Sequence, residues 1–153
     1  MEKVQNTETI QNENGHHDRE KIALVTGAAR GIGRAIALAL AEAGAAVIVN
    51  YNGSAERAAS VVAEIEAMGG KAEAVQCDVS DFEQAGELIG GVIRKYGRID
   101  ILVNNAGVTR DGLLMKMTEE DFDKVIDINL KGCFNCIRHV SRQMLKQRSG
   151  RII

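Results

Sequence analysis

Short apolar runs alternate along this chain with longer stretches in which apolar residues recur every three or four positions. Ile22–Val25 and the runs 46–49, 72–77 and 99–103 have the length and density of strands buried on both faces. The intervening stretches have helical spacing. Ile32, Ile36, Ala39, Leu40 and Ala43 mark the apolar face of the first helix. Ala58, Val61, Val62 and Ile65 mark the second; Phe82, Ala85, Ile89, Val92, Ile93 and Tyr96 mark the third. Gly44, Gly69-Gly70 and Gly97 follow these faces, where helices stop. Ser54 is placed to cap the second helix, and Ser80-Asp81-Phe82-Glu83 reads as a capping box for the third.

The pattern then changes. The longest helix is expected from Thr118 to about Lys146, with a buried stripe of Phe122, Val125, Ile126, Cys133, Ile137 and Val140. Asn129 falls within that stripe. An amide there either bonds to backbone as a structural element or holds a water or a catalytic group. Leu130, Phe134 and Leu145 lie off the stripe and predict a second apolar surface suited to another copy of the chain.

Strands alternating with helices predict an α/β fold: a Rossmann-like, doubly wound parallel sheet with helices on both faces, stopping in its fifth strand. Ligands in such sheets bind beyond the carboxyl ends of the strands. The residues to inspect there are the turn after the first strand, positions 50–52, Asp78-Val79 and 104–107. The turn is Thr26-Gly27-Ala28-Ala29-Arg30-Gly31-Ile32-Gly33. Strand, glycine-rich turn and helix present backbone N–H groups and a helix N-terminus to a phosphate. Gly27 permits the sharp turn, Gly31 lets the backbone approach a pyrophosphate, and Gly33 lets the helix pack close. The spacing is G-x-x-x-G-x-G rather than G-x-G-x-x-G, and the flanking strand and helix carry much of the inference.

The loop after the second strand selects the cofactor. Asn50, Tyr51 and Asn52 bring no negative charge against a 2′-phosphate, and Arg30 is placed either to pair with one or to sit as an ordinary surface arginine. NADP (NADPH) is the expected cofactor, ahead of NAD.

Composition adds exclusions. The net charge of the 153 residues is -2, which implies no nucleic-acid partner, and no apolar run approaches the roughly 20 residues that span a bilayer. Residues 1–20 are polar, lack the core of a secretory signal, and are expected to form a disordered tail ahead of one domain at 21–153. Gly15-His16-His17-Asp18 within that tail reads as solvated rather than metal-binding. Three cysteines at no framework spacing read as reduced thiols of a cytoplasmic protein. Cys133-x-x-Cys136 lies in a helical pattern without a redox-type turn, so neither metal nor redox chemistry is expected there.

Taken together, Thr26-Gly27-x-x-x-Gly31-Ile32-Gly33, Asp78-Val79, Asn104-Asn105-Ala106-Gly107 and Asn129 within Asp127-Ile128-Asn129-Leu130-Lys131-Gly132 resemble the short-chain dehydrogenase/reductase family over about residues 21–153. The run 107–115 and the closing Ser149-Gly150-Arg151-Ile152-Ile153 look most like its 3-oxoacyl-acyl-carrier-protein reductase branch. The resemblance implies an NADPH-dependent oxidoreductase of fatty-acid synthesis that reduces a carrier-bound 3-oxoacyl thioester to the 3-hydroxy form. It implies that Gly27, Ala28, Ala29, Arg30, Gly31, Ile32 and Gly33 hold the pyrophosphate. Asp78 and Val79 would contact the adenine; Asn105, Ala106 and Gly107 would line the adenosine side with Asn52 nearby, and Asn104 would brace the sheet. Asn129 would be the asparagine of an Asn-Ser-Tyr-Lys tetrad, and a homotetramer would form through the helix at 118–147.

The resemblance stops short in one respect. Tyr51 is followed four residues later by Ala55 and Tyr96 by Asp100, so no Y-x-x-x-K occurs, and the tetrad's serine, tyrosine and lysine are absent. Hydride transfer to a carbonyl needs a proton donor in place, so these 153 residues alone are expected to be inactive and poorly stable. Arg138, Arg142, Lys146, Arg148 and Arg151 form a basic concentration that either receives an acidic carrier protein or is a solvated helix face. Two alternatives remain: another reductase of the family acting on a CoA ester, sugar or steroid, and a non-catalytic NADP-binding module.

Overall fold

The computed structural model describes residues 20–153. The expected tail and its His16-His17 pair lie outside the described residues, apart from Glu20. Five strands form one sheet in the order β3-β2-β1-β4-β5: β1 (Ile22–Val25), β2 (Ala46–Tyr51), β3 (Lys71–Gln76), β4 (Ile101–Val103) and β5 (Arg151–Ile152). Every pairing is parallel. The order turns back on itself between β1 and β4, which makes their carboxyl ends the switch point.

The strands alternate faces and so build two cores. Ile22 and Leu24 of β1, Ala46 and Ile48 of β2 and Leu102 of β4 face one side. There they meet α3 (Phe82–Tyr96) through Ala85, Leu88, Ile89 and Val92, and α5 (Gly132–Gln147) through Cys136, Val140 and Met144. Val25, Val47, Val49 and Val103 face the other side. They meet α1 (Gly31–Glu42) through Ala37 and Ala41, and α2 (Ala55–Ala67) through Ala58, Val61 and Ile65. Full burial of each such aliphatic side chain is worth about 1.5–3 kcal/mol, and both faces of the central strands receive it.

Several expected details differ. The buried face of α1 is Gly33, Ala37 and Ala41, and Ile32 is 75% exposed. Small residues win because α1 must lie close over the sheet, and Ile32 is turned toward the cleft. The helix expected at 118–146 is three pieces: α4 (Glu119–Val125), a π-helical segment (Ile126–Lys131) and α5. A capping box does open α4, but it is made by Thr118 and Asp121. The wider π turn shifts the phase of everything after it. Gly132, Asn135, Cys136, Val140 and Met144 are therefore the buried face, whereas Phe122, Ile126 and Ile137 of the expected stripe are exposed. Leu130, Phe134 and Leu145 are exposed, as their off-stripe positions suggest. At α3 the cap is Asp81, whose carboxylate accepts the Gln84 N–H at 3.0 Å; Ser80 bonds Asp78 instead. Ser54 stands at the N-cap of α2 without a side-chain hydrogen bond.

The amino end of the sheet is locked by Asp100, only 7% exposed, which accepts the Ile22 N–H at 2.9 Å and two hydrogen bonds from the Arg98 guanidinium at 2.8 and 2.6 Å. Burial pushes the Asp100 carboxyl up. The Arg98 fork and the Ile22 N–H outweigh it and hold the group below the usual carboxylate range.

Candidate functional site

Leaving β1, the chain is pinned on two sides. Thr26 is 2% exposed, and its Oγ1 accepts the N–H groups of Asn105 and Ala106, both at 3.0 Å, while donating to Val103 O at 3.3 Å. Asn105 returns the contact, its Nδ2 donating to Thr26 O at 2.9 Å and Gly27 O at 3.1 Å. The turn after β1 and the loop after β4 are thus one hydrogen-bonded unit. Gly27 holds φ +62, and a Cβ there would lie 2.9 Å from the Ala106 backbone, so both conformation and space demand glycine. At Gly33 a Cβ would lie 2.7 Å from Gly27 O and overlap the Asn105 amide.

From the other side comes Asn50 of β2, 1% exposed. Its Oδ1 accepts the Gly27 N–H at 3.2 Å, its backbone O accepts the Ala28 N–H at 2.9 Å, and its Nδ2 donates to Val75 O and Cys77 O at 3.3 and 3.2 Å. One amide therefore ties together the mouths of β1, β2 and β3. This differs from the expectation for position 50, which treats it as an uncharged loop residue at the ribose. The signal for the correction is in the chain: a polar residue ending an otherwise apolar buried run must find partners.

Among the described residues, what remains unpaired is the start of α1. The N–H groups of Gly31, Ile32 and Gly33 occupy the first turn, which has no intrahelical acceptors, no acidic residue and no side-chain cap from Arg30. The positive end of the helix dipole faces the cleft uncompensated. The cleft is about 420 Å³ and runs along the carboxyl ends of β1, β2, β3 and β4. Of the expected cofactor residues, Gly27, Ala29, Arg30, Gly31, Ile32, Gly33, Asn52, Asp78, Val79, Asn105, Ala106 and Gly107 line it. Ala28 does not: its methyl is fully buried and its N–H is taken by Asn50, so it founds the turn rather than facing a ligand.

Asn129 is also placed differently from its expected buried stripe. It is exposed, inside the π segment, and its amide pairs with Val108, accepting that N–H at 2.8 Å and donating to its carbonyl at 3.0 Å. Side-chain bonding to backbone, one of its two sequence readings, is what the structure shows. A π turn often marks a functional position, and its sequence signal is the phase slip between the stripes on either side. Asn104 joins the end of β4 to the chain after β5, its N–H donating to Ile153 O at 2.8 Å.

The cysteines fit a structural reading. Burial first, then the nearby carboxylates of Asp78, Asp81 and Glu87, pushes the Cys77 thiol up to about 11; burial pushes Cys136 up to about 12. Cys133, half-buried, donates its S–H to Asn129 O.

A family model described as short chain dehydrogenase matches residues 21–153. The chain belongs to the short-chain dehydrogenase family. It is 57% identical over 133 residues to the 3-oxoacyl-[acyl-carrier-protein] reductase FabG of Staphylococcus aureus, covering 87% of the chain and 54% of that protein. It is 56% identical to the 3-oxoacyl-[acyl-carrier-protein] reductase of a Synechocystis species, with the same coverage of each. It thus spans about half the length of the curated relatives it matches. Among solved structures it is similar to a metagenomic short-chain oxidoreductase in complex with NADP, with TM-score 0.83 and 39% identity, covering 86% of this chain and 60% of that one. Among the described residues, no helix is long and apolar enough to cross a membrane.

Proposed function

We propose that this chain forms the dinucleotide-binding half of an NADPH-dependent reductase that converts a 3-oxoacyl thioester on acyl carrier protein to its 3-hydroxyacyl form. The observation that carries the proposal is the uncompensated first turn of α1, opening into a cleft at the switch point between β1 and β4. Its free N–H groups suit a pyrophosphate, and glycines stand where a Cβ would strain the turn or crowd it. Among the described residues lining the cleft, Asp78 is the one carboxylate, and it lies beyond β3 rather than β2, which leaves Arg30 with no carboxylate opposite it among them, suited to a 2′-phosphate. The relatives named for 3-oxoacyl reduction, at 50–57% identity, supply the substrate class.

NADPH, when bound, supplies the hydride. The chain's own residues then have distinct tasks. Gly31, Ile32 and Gly33 hold the diphosphate, Asp78 and Val79 the adenine, and Asn105, Ala106 and Gly107 the wall beneath. Asn129, through Val108, fixes the loop that carries Gly107, and a Cβ on Gly107 would come 3.3 Å from its Oδ1. Fluorescence titration tests the cofactor assignment: NADPH is expected to bind at least about tenfold more tightly than NADH. Equal affinities would remove it. Oxidation of NADPH with acetoacetyl thioesters by the complete gene product tests the reaction; no turnover counts against it.

The same reading places the enzyme in the cytoplasm as a homotetramer. Phe122, Leu130, Phe134 and Leu145 support a self-contact along the 118–147 segment, being 56%, 64%, 57% and 77% exposed. Light scattering of the complete protein at the mass of one subunit would refute it. The basic residues Arg138, Arg142 and Lys146 of α5, with Arg148 and Arg151, suit an acidic carrier protein. Arg142→Glu is expected to raise KM for carrier-bound substrate and leave it unchanged for a CoA thioester.

A further inference from the structure

The segment from Cys77 to Asp81, between β3 and α3, has its N–H groups almost fully committed. Cys77 donates to Tyr51 O at 2.9 Å, Asp78 to Gln84 Oε1 at 3.1 Å, Ser80 to Asp78 Oδ1 at 3.0 Å and Asp81 to Asp78 O at 3.1 Å. Val79 is the exception: no acceptor stands against its N–H among the described residues. The carbonyls that follow Val79 are gripped from behind. Asn135 of α5, 1% exposed, donates from one amide nitrogen to Val79 O at 2.9 Å and to Ser80 O at 3.2 Å. Its Oδ1 is buried with no partner among the described residues.

We infer that Asn135 is a positioning residue for the dinucleotide, holding the Val79–Ser80 backbone so that the Val79 N–H meets a ring-nitrogen acceptor of the adenine. The inference rests on the dinucleotide reading above. Two features argue against simple helix packing. An apolar side chain would fill the site between α5 and the loop without burying an orphan carbonyl oxygen. Seating is already provided by Gly132, one turn earlier, where a Cβ would fall 2.8 Å from Val79 Cγ2, and by Cys136 and Val140 in the shared core. The amide adds fixed peptide planes rather than packing. Its two donors on one nitrogen suit two consecutive carbonyls, and fixing both sets the torsion on either side of Ser80 and the carbonyl side of Val79. A donor held in place beforehand loses no freedom on binding, and that is where the affinity comes from.

The test measures Kd for NADPH and for reduced nicotinamide mononucleotide, which lacks the adenosine, on the full chain and its variants. Asn135→Leu keeps the branched shape, at a larger volume, and removes both donors; Asn135→Asp keeps the size and turns a donor into a carboxylate facing two carbonyls. Both are expected to weaken NADPH about tenfold and to leave the mononucleotide unchanged. Val140→Ala is the packing control: it is expected to lower the Tm with NADPH affinity held within about twofold. Unchanged NADPH affinity in both Asn135 variants would overturn the inference. So would an equal loss for the mononucleotide or for Val140→Ala. Amide hydrogen exchange on the unmutated protein gives a reading even if a variant fails to fold: NADPH is expected to slow exchange at Val79 more than at Ser80, and no slowing at Val79 overturns the proposal. An unmutated protein with no NADPH affinity would bring down the dinucleotide reading and this inference together; one that binds normally alongside unaffected variants brings down this inference alone.

Discussion

Gly33→Ala isolates the packing beneath the cofactor turn. An alanine Cβ at this position would sit 2.7 Å from Gly27 O and 3.0 Å from Ala28 Cα, and would strike the Asn105 amide. Two of the three atoms are backbone of the turn itself, so they yield only by moving the turn. Forced overpacking of this kind costs about 1–3 kcal/mol. Displacing the Asn105 amide also weakens its bonds to Thr26 O at 2.9 Å and Gly27 O at 3.1 Å, worth roughly 1 kcal/mol each. Replacing a helical glycine with alanine returns about 1 kcal/mol. The net is about 2–4 kcal/mol, or a Tm lower by roughly 5–15 °C for a domain of this size. Gly31→Ala is the matched comparison. A Cβ there meets nothing within 4 Å, but the residue holds φ +56, so the cost is conformational, about 1–2 kcal/mol. Thermal and urea unfolding followed by circular dichroism would rank the two. A Gly33→Ala protein within about 2 °C of the parent, or one more stable than Gly31→Ala, would refute this packing argument.

Further outcomes are open to direct measurement. Asn50→Leu removes every bond joining the mouths of β1, β2 and β3 through that side chain; it is expected to cost about 2–4 kcal/mol and abolish detectable NADPH binding, whereas a change under about 0.5 kcal/mol in urea unfolding would deny the clamp. Because the Asp100 carboxyl is held below its unfolded value near 3.9, its contribution is present above that pH and is lost as pH falls through the lower folded value. Acid unfolding of Asp100→Asn should therefore show a shallower loss of stability below about pH 4, and an unaltered acid limb counts against the Arg98 pairing. Cys77 and Cys136, with thiols raised to about 11 and about 12, should resist a thiol reagent at pH 8 in the folded protein while the half-buried Cys133 reacts first; equally fast modification of all three contradicts the burial.

The sheet and the glycine turn were readable in the chain because buried parallel strands leave dense apolar runs and helices leave a strict period. Ala58, Val61 and Ile65 fall on their expected face for that reason. Packing distance and helix type are not carried by local spacing. A helix that touches the sheet through Gly33, Ala37 and Ala41 hides its contact face from a count of large apolar residues, which points instead to Ile32, a residue turned toward the cleft. The π segment broke the period that placed Asn129 and Ile137 on a buried stripe. Cleft residues were legible where glycine patterns announced them. Asn50 is signalled only as a polar residue closing an apolar run, and Thr26 and Asn135, behind the cleft, not at all: what they do lies in bonds to backbone carbonyls and amides far away in sequence, which no local spacing encodes.

In the proposed function, the open N–H groups at the start of α1 receive the diphosphate of NADP. Titrating the 15N-labelled protein with NADPH, and following amide resonances, tests it most directly. Saturable shifts are expected, largest at Gly31, Ile32 and Gly33, with a second group at Val79. Shifts confined to other surfaces, or no saturable change in the first turn of α1, would contradict it.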